Sequence, residues 1–88
     1  MNIYRVDEVD CVYHWVIADE AGTAKEIVWD NLVEKPEGIT DPKELGCTKL
    51  PLDYRLPLHG ESKAITLTVE EWLIVYEYQP KYLGCSEY

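Results

Sequence analysis

Phenylalanine is absent from this 88-residue chain and methionine occurs once. The large apolar volume must therefore come from Trp15, Trp29, Trp72, seven tyrosines and the aliphatic residues. Buried Tyr and Trp need hydrogen-bond partners at their polar tips, so many of these rings are expected at the edge of the core. Positive charge is scarce: 8 Lys and Arg stand against 17 Asp and Glu, for a net charge of -9. Such a field repels phosphate, and the counterion-release contribution that drives nucleic-acid binding has the wrong sign, which argues against DNA or RNA as direct ligands. Long apolar runs are missing too. Residues 72–76 form the longest notable one, far short of the roughly 20 apolar residues of a membrane span. The first residues show no basic region followed by an apolar stretch, so no secretory signal is expected and the chain is read as cytoplasmic. Cys11, Cys47 and Cys85 are an odd set at wide spacings, which points to reduced thiols instead of a disulfide framework.

What is present suits one small folded domain over residues 1–88. A hydrophobic share of 47% is ordinary for globular chains, and the length supports one core. Residues 3–7 and 12–18 are β-branched and aromatic, separated by acidic residues, and predict an N-terminal β-hairpin. The period then changes. Ala24, Ile27, Val28 and Leu32 recur at helical spacing, predicting a helix over about residues 20–34. Asp19 or Thr23 would cap it, with Thr23 and Glu26 as a capping box, and Pro36 and Gly38 would end it. Asp41-Pro42 predicts a short helical turn stopped by Gly46. Pro51 and Pro57 limit residues 47–57 to one short edge strand, with irregular structure through residues 58–61.

Residues 64–68 alternate as a short strand, and Thr68 with Glu71 forms a second capping box. Val69, Trp72, Leu73 and Tyr76 then fall at i, i+3, i+4 and i+7, a helical face, although residues 72–76 are strand-prone by propensity alone. Pro80 ends that helix, and residues 82–85 return as a final strand. The fold class is α+β: a small antiparallel sheet of three to four strands with two helices packed on one face.

The opening Tyr4-Arg5-Val6-Asp7 with Trp15-Val16-Ile17-Ala18-Asp19, and the ending Thr68-Val69-Glu70-Glu71-Trp72 with Gly84-Cys85-Ser86-Glu87-Tyr88, resemble short uncharacterised accessory proteins of phages and prophages. The resemblance covers the two ends and carries no catalytic motif. It implies a phage accessory role such as an anti-CRISPR-like inhibitor of host defence.

Chemistry has few places to reside. Cys11, His14, Cys47, His59 and Cys85 are zinc-ligand types, but zinc sites bring close ligand pairs and these residues do not. The plainer reading is buried or half-buried thiols and surface histidines. Cys11 or Cys85 with His14 or His59 follows no recognisable nucleophile–base order, and there is no glycine-rich phosphate loop or nucleophile elbow. The chain is thus read as no enzyme, with no cofactor and no metal.

Glu26, Asp30 and Glu34 stand at i, i+4 and i+8 on the first predicted helix, where like charges cost roughly 0.2–0.5 kcal/mol per pair. One reading is a solvated face that keeps a small protein soluble. The other extends it through Asp7, Glu8, Asp10, Asp19, Glu20 and Glu37 into a one-sided negative surface that mimics a phosphate backbone and meets a basic protein surface, including that of a nucleic-acid-binding host protein. Tyr4, Tyr13 and Tyr76 are read as core cover. Tyr78, Tyr82 and Tyr88 lie beyond the last helix or near its end, where tyrosine serves interfaces well. The expected function is a non-enzymatic protein-binding inhibitor; homodimerisation through an aromatic face, as a structural or regulatory subunit, is the alternative. A metal- or thiol-dependent enzyme is the second alternative.

Overall fold

Strands β1 (Asn2–Asp7) and β2 (Tyr13–Ala18) pair antiparallel in unbroken register from Asn2 opposite Ala18 to Asp7 opposite Tyr13. This computed structural model describes residues 1–8, 12–32, 38–59 and 64–85. The expected hairpin is formed. Beyond it come helix α1 (Ala21–Asn31), a 3-10 turn (Pro42–Glu44), β3 (Gly46–Lys49), β4 (Arg55–His59), β5 (Ala64–Thr68), α2 (Val69–Val75) and β6 (Lys81–Cys85). The main sheet is antiparallel throughout in the order β3-β1-β2-β6, while β4 and β5 form a separate two-stranded sheet. The fold is α+β, as the sequence predicts.

Side chains alternate across a strand, so neighbouring residues serve opposite faces. Tyr4, Val6, Val16 and Ala18 pack with Ala24 and Val28 of α1 and with Leu45. Ile3 and Ile17, out of phase with that set, pack with Val69, Trp72 and Leu73 of α2 and with Leu50, Leu56 and Leu58. The expected α+β class and strand number hold, but the two helices lie on opposite faces of the four-stranded sheet instead of sharing one. The 16–18 run is buried at every residue, as a strand covered on both sides requires.

Each helix reflects its local sequence differently. Thr68 caps α2 as expected: its hydroxyl accepts from the Glu71 amide at 3.2 Å, and its own amide donates to Glu71 Oε1 at 2.9 Å. Burial of Val69, Trp72 and Leu73 decides for helix over strand there. Trp72 Nε1 donates to the Leu56 carbonyl at 2.7 Å, which satisfies its polar tip inside the core. The start of α1 departs from expectation. Its N-cap is Glu20, without a side-chain cap, so Thr23 lies inside the first turn and forms no capping box with Glu26. Leu32 is already extended (φ -76°, ψ 124°), so the helix stops at Asn31, short of the predicted residue 34.

The middle of the chain holds more strand than the prolines suggest. Asp41 caps the 3-10 turn by accepting from the Lys43 amide at 2.9 Å, with Pro42 in the first helical position as expected. The expected short edge strand is β3, while β4 runs through Pro57 to His59 where irregular structure is predicted. Pro57 is tolerated because β4 pairs only with β5 among the described residues, leaving one side of that strand without a ladder to satisfy. The expectations for Pro36, Gly60 and Glu61 fall outside the described residues.

Candidate protein-binding surface

The acidic stripe is shorter than the sequence implies. Glu26 and Asp30 are both exposed on α1, one helical turn apart. Because α1 ends at Asn31, no third carboxylate continues the row on this helix; Glu34, Glu37 and Asp10 lie outside the described residues. Asp19 and Glu20 are exposed just before the helix, on the way into its N-terminal end. Lys25, the nearest cation in sequence, reaches instead to the Lys43 carbonyl at 3.4 Å.

Asp7 and Glu8 are held by the fold. Asp7 Oδ1 lies 3.1 Å from Arg5 Nε, an ion pair without hydrogen-bond alignment. The Arg5 guanidinium sits 4.6 Å above the Tyr13 ring. Asp7 is thus half neutralised within its own strand pair, although so exposed an ion pair adds little stability.

Glu8 belongs to a part-buried network that the sequence does not announce. His14 is 5% exposed, in phase with Val16 and Ala18 on the α1 side of β2. This corrects its reading as a surface histidine. Its Nε2 lies 2.8 Å from Glu8 Oε1 and its Nδ1 2.8 Å from the Tyr82 hydroxyl. An ionised carboxylate only accepts, so Nε2 carries a proton, and in the neutral ring Nδ1 accepts from Tyr82. Tyr82 is half-buried and packed against the α1-side cluster, so it is part of the structure more than an outward-facing interface residue. The spacing of these three residues is 6 and 68 positions, beyond any local motif. The legible signal was His14 falling on a buried phase of β2, because a buried imidazole requires partners.

Cys85 stands opposite His14 in the β2–β6 pairing, a superficial thiol–imidazole arrangement. Both ring nitrogens are already occupied, leaving neither to take a thiol proton. Cys47 stands opposite Val6 in the β1–β3 pairing. Burial raises its thiol pKa above the usual 9.0, opposed by the Lys25 charge and reinforced by Asp7. His59 is at the end of β4, in the other sheet, and Cys11 lies outside the described residues. Among the described residues, no three His, Cys, Asp or Glu side chains gather as metal ligands, and no helix is long and apolar enough to cross a membrane.

Tyr78 does present its ring outward. It follows α2 with positive φ (56°), as does Glu77 (57°). The Glu77 amide donates to the Ile74 carbonyl at 3.0 Å and the Tyr78 amide to the Leu73 carbonyl at 2.8 Å, a Schellman closure with glutamate where glycine is usual. Of the eight residues read as partner-binding, Glu26, Asp30 and Tyr78 are outward-facing, Asp7, Glu8 and Tyr82 are engaged internally, and Asp10 and Glu34 lie outside the description. Tyr88 is also outside it.

The fold and these surfaces define a small acidic α+β domain with a helix on each side of an antiparallel sheet. In comparisons with protein-family models, curated proteins and solved structures, nothing matches the chain.

Proposed function

We propose that the chain is a non-enzymatic protein-binding inhibitor, phage-encoded, acting in the host cytoplasm. Its target is a host defence or nucleic-acid-binding protein, in an anti-CRISPR-like mode. The observation that carries the reading is the outer face of α1: Glu26 and Asp30 are exposed one turn apart, and neither takes part in an ion pair among the described residues. Asp19 and Glu20 are exposed just before the first turn of α1, and the whole chain carries a charge of -9. A row of uncompensated carboxylates on a rigid element attracts a basic surface that otherwise holds phosphate. Inhibition then works by steric and electrostatic competition with nucleic acid.

The test is an affinity capture from host lysate at low and high salt, with wild type beside a Glu26→Lys, Asp30→Lys variant. A nucleic-acid-binding partner captured by wild type at low salt, and lost both at high salt and in the folded variant, supports the proposal. Equal capture by both proteins contradicts it.

A further inference from the structure

The second outward surface lies across the sheet from α1. Ile74 is 59% exposed, Val75 55% and Tyr78 48%, three large apolar side chains within five consecutive positions at the end of α2. Ile74 follows Glu70 by four residues and Val75 follows Glu71 by four, so each stacks beside a carboxylate along the helix surface. Glu77 completes the acidic rim at the other end and is itself exposed. The turn before β4 is clamped to the start of α2: the Val69 amide donates to the Tyr54 carbonyl at 2.9 Å and the Glu70 amide to the Leu52 carbonyl at 3.1 Å. Between turn and helix runs an open notch of about 230 Å³ lined by Leu52, Asp53, Thr68 and Glu70. Because the first amides of α2 are already bonded, the notch offers carboxylates, and it suits a cation.

We propose that this face binds a basic amphipathic protein segment. Apolar side chains cover Ile74, Val75 and Tyr78, while a lysine or arginine enters the notch between Asp53 and Glu70. Charge selects that occupant. Two cations border this face: Lys81 Nζ lies 5.3 Å over the Tyr76 ring, and Arg55 stands opposite Thr68 in the β4–β5 pairing. The exposed carboxylates of Asp53, Glu70, Glu71 and Glu77 outnumber them, so the rim is net acidic. A second copy in a two-fold dimer would present Glu70, Glu71 and Glu77 to the same residues of its mate, and an acidic segment would be repelled. This surface is separate from the α1 face, so either can fail without the other.

The experiment uses calorimetric titration of the full chain with a synthetic helix-forming peptide carrying leucine at i, i+3, i+4 and i+7 and lysine elsewhere. A scrambled peptide of the same composition is the control. Wild type binds the amphipathic peptide more tightly than the scrambled one by at least about tenfold. The Ile74→Ser, Val75→Ser variant loses at least about tenfold in affinity, and Tyr78→Ala weakens binding in the same direction; all three substitutions are at exposed positions, and circular dichroism confirms folding. Two charge-matched variants locate the site: Asp53→Asn, Glu70→Gln weakens binding, whereas Glu26→Gln, Asp30→Asn leaves it within about twofold. Equal loss from both charge-matched variants, no saturable binding, or equal affinity after Ile74→Ser, Val75→Ser overturns the proposal. So does a wild-type dimer in sedimentation that the same substitutions dissociate.

Discussion

Replacing Glu77 with glycine should stabilise the protein, because Glu77 occupies the left-handed region at φ 57°. For a residue with a Cβ, that conformation costs roughly 1–2 kcal/mol, because the Cβ approaches the following carbonyl. Glycine escapes the clash but surrenders more backbone entropy on folding, roughly 0.5–1 kcal/mol. The net expectation for Glu77→Gly is a gain of about 0.5–1 kcal/mol. At about 4–8 °C per kcal/mol for a domain of this size, the melting temperature rises by roughly 2–8 °C. Thermal unfolding followed by circular dichroism measures this. Glu77→Ala separates the possible causes, since alanine removes the charge and retains the clash. If Glu77→Gly is no more stable than Glu77→Ala, the backbone argument is wrong and any gain is electrostatic.

Thr68→Ala removes the α2 cap and should cost about 1 kcal/mol in urea unfolding. Glu71 has its pKa lowered below 4.5, chiefly by the Thr68 backbone hydrogen bond and then by the Thr68 hydroxyl. Its contribution is present above pH 4.5 and lost as pH falls through the depressed value, so Glu71→Gln should flatten stability over that acid range. His14→Ala leaves the Glu8 carboxylate and Tyr82 hydroxyl without the imidazole and should cost roughly 1–3 kcal/mol; an unchanged urea midpoint would show the network to be dispensable. Burial raises the Cys47 pKa above 9.0, so its neutral thiol is favoured by folding. Cys47 should react more slowly with iodoacetamide at pH 8.5 in the folded protein than in urea, read by mass spectrometry. In stability terms its contribution is present below 9.0 and lost as pH rises through the raised value, a loss that Cys47→Ala should remove.

Local signals proved legible where short-range chemistry decides structure. Thr68 with Glu71, Asp41 with Pro42, and the alternation of residues 64–68 mark their elements because capping and pleat act over a few residues. The placement of the helices required a different signal. Val16, Ile17 and Ala18 are consecutive and apolar, and a strand without alternation is covered on both faces. That run places α1 and α2 on opposite sides. Pro57 misled because, among the described residues, its strand pairs on one side only, a fact about tertiary pairing. The end of α1 was overextended because the apolar period runs through Leu32 and the stops read from the sequence, Pro36 and Gly38, lie beyond it, whereas the backbone is already extended at Leu32. At the candidate site, exposure of Glu26 and Asp30 follows from helical phase opposite Ala24 and Val28. The capture of Glu8 and Tyr82 by His14 depends on contacts 6 and 68 residues apart, which composition and spacing do not encode.

The most direct test of acidic competition is whether the chain displaces nucleic acid from the partner it captures. In a mobility-shift assay at low salt, wild type should release the nucleic acid in proportion to its concentration. The Glu26→Lys, Asp30→Lys variant should fail to do so, and added salt should weaken displacement by wild type. If the folded variant displaces nucleic acid as well as wild type does, or wild type binds the partner without displacing anything, the α1 face is not a mimic of the phosphate backbone.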